Sequence, residues 1–107
     1  KTSKLIKTGG TTGMKTGKEY AKRNMWEDAK DSWEQVLKDS SPKGIKDKVP
    51  AMYNLGVYYE IQDNLDKAEE IFNQCFKQSG KKEYLNARQR IQKRKKEIEK
   101  LEKQISN

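Results

Sequence analysis

Apolar residues recur along this chain at helical rather than strand spacing. Between Val49 and Gly80, Met52, Leu55 and Tyr58/Tyr59 fall on one stripe, and after the polar break Gln62-Asp63-Asn64 the residues Leu65, Ala68, Ile71/Phe72 and Cys75/Phe76 repeat it. The spacing predicts two amphipathic helices joined by a short turn. Gly56 lacks a side chain where another backbone must come close, and the small Ala68 is expected to face that gap. Small against small lets two antiparallel helices approach, with the larger residues locking above and below.

The same pattern occurs 39 residues earlier: Gly17 matches Gly56, Tyr20 matches Tyr59, Trp26 matches Leu65, Ala29 matches Ala68, Trp33 matches Phe72 and Val36 matches Cys75. This predicts a first helix pair over about residues 11–40. Its opening helix is intrinsically poor, because Gly13 and Gly17 each cost about 1 kcal/mol against Ala, so packing must hold it. Trp26 and Trp33 are core by register rather than stacking platforms for a ligand. The segment Ser41-Pro42-Lys43-Gly44-Ile45-Lys46 is the expected loop that absorbs the extra repeat length, with Asp47 capping a third helix and Pro50 in its first turn.

Residues 1–10 read as a basic tail or the remnant of a preceding domain, in which Leu5 and Ile6 are available to dock on the first helix. After Gly80 nothing breaks the pattern, and residues 82–106 are expected to form one long helix with Tyr84, Ala87, Ile91, Ile98, Leu101 and Ile105 on a seam interrupted by Arg94. Its first half should close the second helix pair. From about Arg94 onward the visible chain offers no cover, so Ile98, Leu101 and Ile105 are candidates for self-association, for a missing part of a longer chain, or for solvation.

Leu55-Gly56, Tyr59, Ala68, Phe72 and Cys75, with the wording Tyr53-Asn54-Leu55-Gly56 and Asp66-Lys67-Ala68, resemble the tetratricopeptide repeat (TPR), a helix-turn-helix unit of about 34 residues. Gly80 stands where that family usually has Pro. The resemblance implies an all-α fold, a right-handed stack of two helical hairpins (repeat one about 11–40, repeat two about 48–80) with a long C-terminal capping helix. It also implies a concave groove, lined by the first helix of each repeat, in which an extended peptide or helix of a protein partner lies. The groove-facing candidates by this similarity are Lys15, Lys18 and Lys22, then Tyr53, Asn54 and Val57, and Arg88. Asn54 with Arg88 is similar to part of a clamp that holds a peptide's terminal carboxylate, which implies an acidic peptide; the clamp's other basic and amide residues are not all present. More narrowly, Thr16 to Lys103 resembles the TPR portion near the C-terminus of bacterial envelope lipoproteins, which implies a lipoprotein fragment and an envelope partner.

Composition narrows these readings. Of 107 residues only 32% are apolar and 37% are charged, which fits one domain with a thin core spread along stacked helices. Charge is segregated: residues 1–48 carry +5, 49–80 carry −3 and 81–107 carry +6, for a net +8. The alternative function is therefore a basic helical module that binds nucleic acid or an anionic surface through Arg88, Arg90 and Lys93-Arg94-Lys95-Lys96, although that block has no aromatic residue to stack on bases. There is no His, and the single Cys75 sits in a helix stripe as a small core residue. No cofactor and no metal are expected. Asp28, Asp31, Asp63, Asp66, Glu69 and Glu70 read as surface acids suited to helix starts, and no set of residues converges on a reaction, so the expectation is a noncatalytic protein. No apolar run is long enough to span a bilayer, and the chain, opening at Lys1, reads as a piece of a longer protein.

Overall fold

Local signals account for where each helix begins and ends. The computed structural model describes residues 5–106, so Lys1 to Lys4 of the expected tail lie outside it. Its elements are α1 (Thr12–Lys22), α2 (Trp26–Lys38), α3 (Pro42–Ile61), α4 (Leu65–Ser79) and α5 (Lys82–Ser106), with no strand among the described residues. Thr11 caps α1 by accepting the Met14 N–H at 3.3 Å, Ser41 caps α3 through Gly44 at 3.2 Å, and Asn64 caps α4 through Lys67 at 3.3 Å. Gly80, at φ 69°, ends α4 in the left-handed region and returns its N–H to Phe76.

The 39-residue offset is written into the backbone. Asn24 and Asp63 both adopt left-handed conformations, at φ 61° and 60°. In each turn the next residue donates back five positions, Met25 to the Tyr20 carbonyl at 2.8 Å and Asn64 to the Tyr59 carbonyl at 2.9 Å. Asn and Asp tolerate this conformation better than other side chains, so a polar residue at both sites is what the geometry requires.

The junction between the pairs differs from the expected loop. Ser41-Pro42 is itself an N-cap and first-turn signature, and α3 starts there; the added residues extend the helix to 20 residues instead of forming a loop. Asp47 is consequently not a cap but a buried residue within α3, and Pro50 lies in the helix interior.

Each helix packs chiefly on its neighbours in sequence, which leaves α3 in the middle with both faces covered. Ala51, Leu55 and Tyr58 join Met14, Ala21, Ala29, Trp33 and Val36 on one side. Met52, Tyr53 and Val57 join Leu65, Phe72, Cys75, Tyr84, Ala87 and Ile91 on the other. The nearest neighbours of the glycine gaps are aromatic rings. A Cβ on Gly56 would stand 2.8 Å from Phe72 Cδ1, and one on Gly17 would stand 2.7 Å from Trp33 Cδ1. A flat ring fills such a gap better than a methyl group can, and Trp33 and Phe72 are the matched pair in the repeat. Trp33 is fully buried, whereas Trp26 is only half-buried beside it, with its indole N–H bound to Asn24 at 2.8 Å.

Along α5 the core ends at Ile91. Ile98, Leu101 and Ile105 are 37%, 58% and 84% exposed. Before α1, Ile6 docks against both apolar clusters while Leu5 is exposed.

Candidate functional site

Among the described residues Asn54 is the one amide side chain sealed in the core, at 0% exposure, and a buried amide must find partners. It finds them on the N-terminal strap, the nonhelical segment 6–11. Its Oδ1 accepts the Lys7 N–H at 2.7 Å and its Nδ2 donates to the Lys7 carbonyl at 2.9 Å. Both polar groups of one backbone residue are thereby satisfied by one side chain, independent of what that residue's own side chain is.

The rest of the strap is fixed by its side chains and by close approach. The Lys7 ammonium pairs with Glu83 at the start of α5 and lies 5.5 Å from the centre of the Tyr84 ring. Gly9 passes the Asp47 carboxylate so closely that a Cβ there would stand 2.6 Å from Oδ2. The Thr11 N–H donates to that same oxygen at 2.9 Å, placing a carboxylate at the N-terminus of α1, where the helix dipole favours it. The site therefore combines a backbone clamp on α3, an acid and a ring on α5, and apolar cover for Ile6.

Of the seven residues expected to line a groove, only Asn54 makes such a contact. Tyr53 is inside the core, its ring 5.4 Å from Phe72 and 5.6 Å from Tyr84, and Val57 is fully buried there. They face inward because α4 and α5 close over that side of α3. Arg88 points to α4, donating to Asn73 Oδ1 at 3.0 Å, so it does not assemble a clamp with Asn54. Lys15 and Lys22 are exposed on α1 and Lys18 is half-buried. Lys22 lies 3.8 Å from Glu19, within its own helix.

Asp47, Glu83 and Tyr84 were not singled out by sequence reasoning as site residues, and Arg90 was named only as part of the basic block of the alternative reading. Gly9-Gly10 followed by Thr11 was a usable signal for close approach and a cap, but nothing in the sequence joined Lys7 to Glu83. For Arg90 the signal was the opposed charge of neighbouring segments. Its guanidinium donates two bonds to Glu60, at 3.0 and 2.8 Å, and sits 5.6 Å from the Phe72 ring. Arg94 pairs with Asp63, and Lys95 with Asp66 and with Glu69 at 2.7 Å. The Lys95 and Gln92 hydrogen bonds hold the Glu69 carboxyl below its usual range, and Asp66 and Glu69 in turn raise Lys95. Much of the basic block thus faces acids of α3 and α4.

Two other buried groups keep their protons. Desolvation pushes the Cys75 thiol up to about 12, and the hydrogen bond to Glu27, with burial, raises Tyr58 to about 12. Among the described residues no helix is long and apolar enough to cross a membrane.

The family model called Domain of unknown function (DUF6340) matches residues 15–103, most of the chain, and the chain belongs to that family. No curated protein and no solved structure matched the sequence.

Proposed function

We propose that this member of the DUF6340 family is a noncatalytic protein-interaction module, a TPR-like stack of two helical hairpins with a capping helix, whose groove holds a nonhelical peptide segment. The observation that carries this reading is the pair of hydrogen bonds from Asn54 to the backbone of Lys7. A side chain that satisfies both the N–H and the C=O of one residue recognises backbone, which is how an extended ligand gains affinity before its side chains are read. In this chain the occupant is its own strap.

The groove's side-chain preference differs from the acidic peptide implied by resemblance. Glu83, the Tyr84 ring and the apolar seat of Ile6 suit an apolar residue followed by a lysine. The resemblance to envelope lipoproteins supports a segment of another envelope component, or of a longer form of the same chain, as the partner. Nucleic acid is the weaker reading, because Arg90, Arg94 and Lys95 already face carboxylates.

The test uses a labelled peptide of residues 1–11 added to the full chain and to a full-chain variant with Ile6→Gly and Lys7→Gly. The proposal expects saturable binding to the variant, with chemical-shift changes at the Asn54 side-chain amide, and loss of that binding when Asn54→Ala is added. Absence of saturable binding to the strap-weakened variant would end it.

A further inference from the structure

A second cleft, of about 640 Å³, lies where the strap passes the first turns of α3 and the α4–α5 turn. This is the size range of small-molecule sites. Lys43 and Lys46 reach it from α3, and Lys81 from the α4–α5 turn. Among the described residues none of these three has an acid within ion-pairing distance, in contrast to the paired cations of α5. The acid in the wall, Asp47, is occupied by the Thr11 N–H.

The floor supplies an independent indication. Tyr84 lines the cleft yet is only 1% exposed as a residue, and its hydroxyl makes no hydrogen bond to another side chain or backbone group among the described residues. A phenol in the lining of a polar cleft, with no partner in the protein, is free to donate to an acceptor held there. Burial pushes its pKa up to about 12, so it retains the proton at any physiological pH. Ser79 accepts the Lys81 N–H at 3.2 Å and donates to the Cys75 carbonyl at 2.8 Å, which fixes the turn that carries Lys81.

We propose that this cleft is an oxyanion site for a phosphate group, surrounded by Lys43, Lys46 and Lys81 and hydrogen-bonded by the Tyr84 hydroxyl. Three ammonium groups supply charge without direction, and the phenol supplies the direction. The phosphate can belong to a free phosphomonoester or to a lipid headgroup, since the cleft opens to solvent beside the strap.

The experiment titrates the full chain, at constant ionic strength, with inorganic phosphate, with glycerol 3-phosphate, and with vesicles of phosphatidylglycerol or of phosphatidylcholine. Saturable shifts at the Lys81 and Tyr84 amides with either soluble phosphate assign a free ligand, and retention on phosphatidylglycerol vesicles alone assigns a lipid. In both cases Tyr84→Phe, which keeps the ring packing, weakens binding about tenfold to a hundredfold, the effect of one lost hydrogen bond to an anion. Replacing Lys43, Lys46 and Lys81 with Gln abolishes it. Binding that is indifferent to Tyr84→Phe, or no saturable response to any of the probes, overturns the proposal. Trans-peptide binding through Asn54 is read separately, so the two sites succeed or fail independently.

Discussion

Replacing Gly56 with alanine sets two effects of opposite sign against each other. Gly56 lies inside α3, where alanine is the better helix former by about 1 kcal/mol. Against this, the new Cβ would stand 2.8 Å from Cδ1 and 3.0 Å from Cζ of Phe72, and nearer still to Cε1, where carbon atoms prefer about 3.5–4.0 Å. Phe72 has no free direction in which to retreat: it is fully buried, with Tyr53 at 5.4 Å and the Arg90 guanidinium at 5.6 Å from its ring. Overpacking of this kind costs about 1–3 kcal/mol, and the rigid surroundings place Gly56→Ala at the upper end. The net loss is then about 1–2 kcal/mol, a fall of roughly 5–10 °C in the unfolding midpoint for a domain of this size. Circular dichroism on heating measures it directly. Gly10→Ala is the control, because open space surrounds that position and stability should hold or rise by up to about 1 kcal/mol. Adding Phe72→Leu should relieve the Gly56→Ala penalty by about 1 kcal/mol in a double-mutant cycle. A raised midpoint for Gly56→Ala, or a cycle without coupling, would refute the view that this gap exists to admit a ring.

Asn54→Ala should cost about 2 kcal/mol by removing two hydrogen bonds and should free the strap; hydrogen exchange at the Lys7 amide would rise while the α3 core stays protected, and unchanged Lys7 protection would contradict the clamp. Arg90→Ala should destabilise by about 1–2 kcal/mol in urea unfolding, discounted for partial exposure, because the Glu60 side chain is only 12% exposed and would lose both donors; an effect within error of zero would make the pair ornamental. The Glu69–Lys95 pair gives a pH window. Glu69 titrates below its usual 4.5 in the folded state, so its contribution is present above that value and is lost as pH falls through the lowered one; Lys95 titrates above 10.5, so its contribution is present below that and is lost as pH rises further. Amide protection in α5 should therefore be flat between about pH 5 and pH 10 and fall on either side, and Glu69→Gln should soften the acid limb; an identical acid limb in that variant would remove Glu69 from the account.

The helices were legible because their signals are local. The stripe of Leu65, Ala68, Phe72 and Cys75 and the break at Asp63 lie within one pair of helices. What failed was long-range or hierarchical. Ser41-Pro42-Lys43-Gly44 contains both a loop signature and a helix-start signature, and the second prevails because a serine cap and a proline at the first helical position cost the helix no hydrogen bond. The ring of Trp33 or Phe72 that comes nearest each glycine gap was not anticipated, because that approach is set by side-chain direction rather than by spacing. Asn54 was named from the resemblance, but the backbone it holds, 47 positions away in a tail with no periodicity, was not.

The two repeats differ most where their surroundings differ. Lys15 and Lys18 of α1 stand in the register of Asn54 and Val57 of α3. On α3 that row is covered, by the strap over Asn54 and by the α4–α5 core over Val57, and its residues are an amide with both partners satisfied and a fully buried aliphatic. On α1, Lys15 is exposed and Lys18 half-buried, as expected for long cationic side chains that can lay an aliphatic stem on a helix and keep the charge in water. A repeat's conserved notch, Gly17 or Gly56 against its ring, thus fixes the helix pair, while the variable row reports what lies over it. By that criterion the chemistry of the α3 row is set less by the repeat wording than by whatever lies over it, and in this chain that is the segment around Lys7.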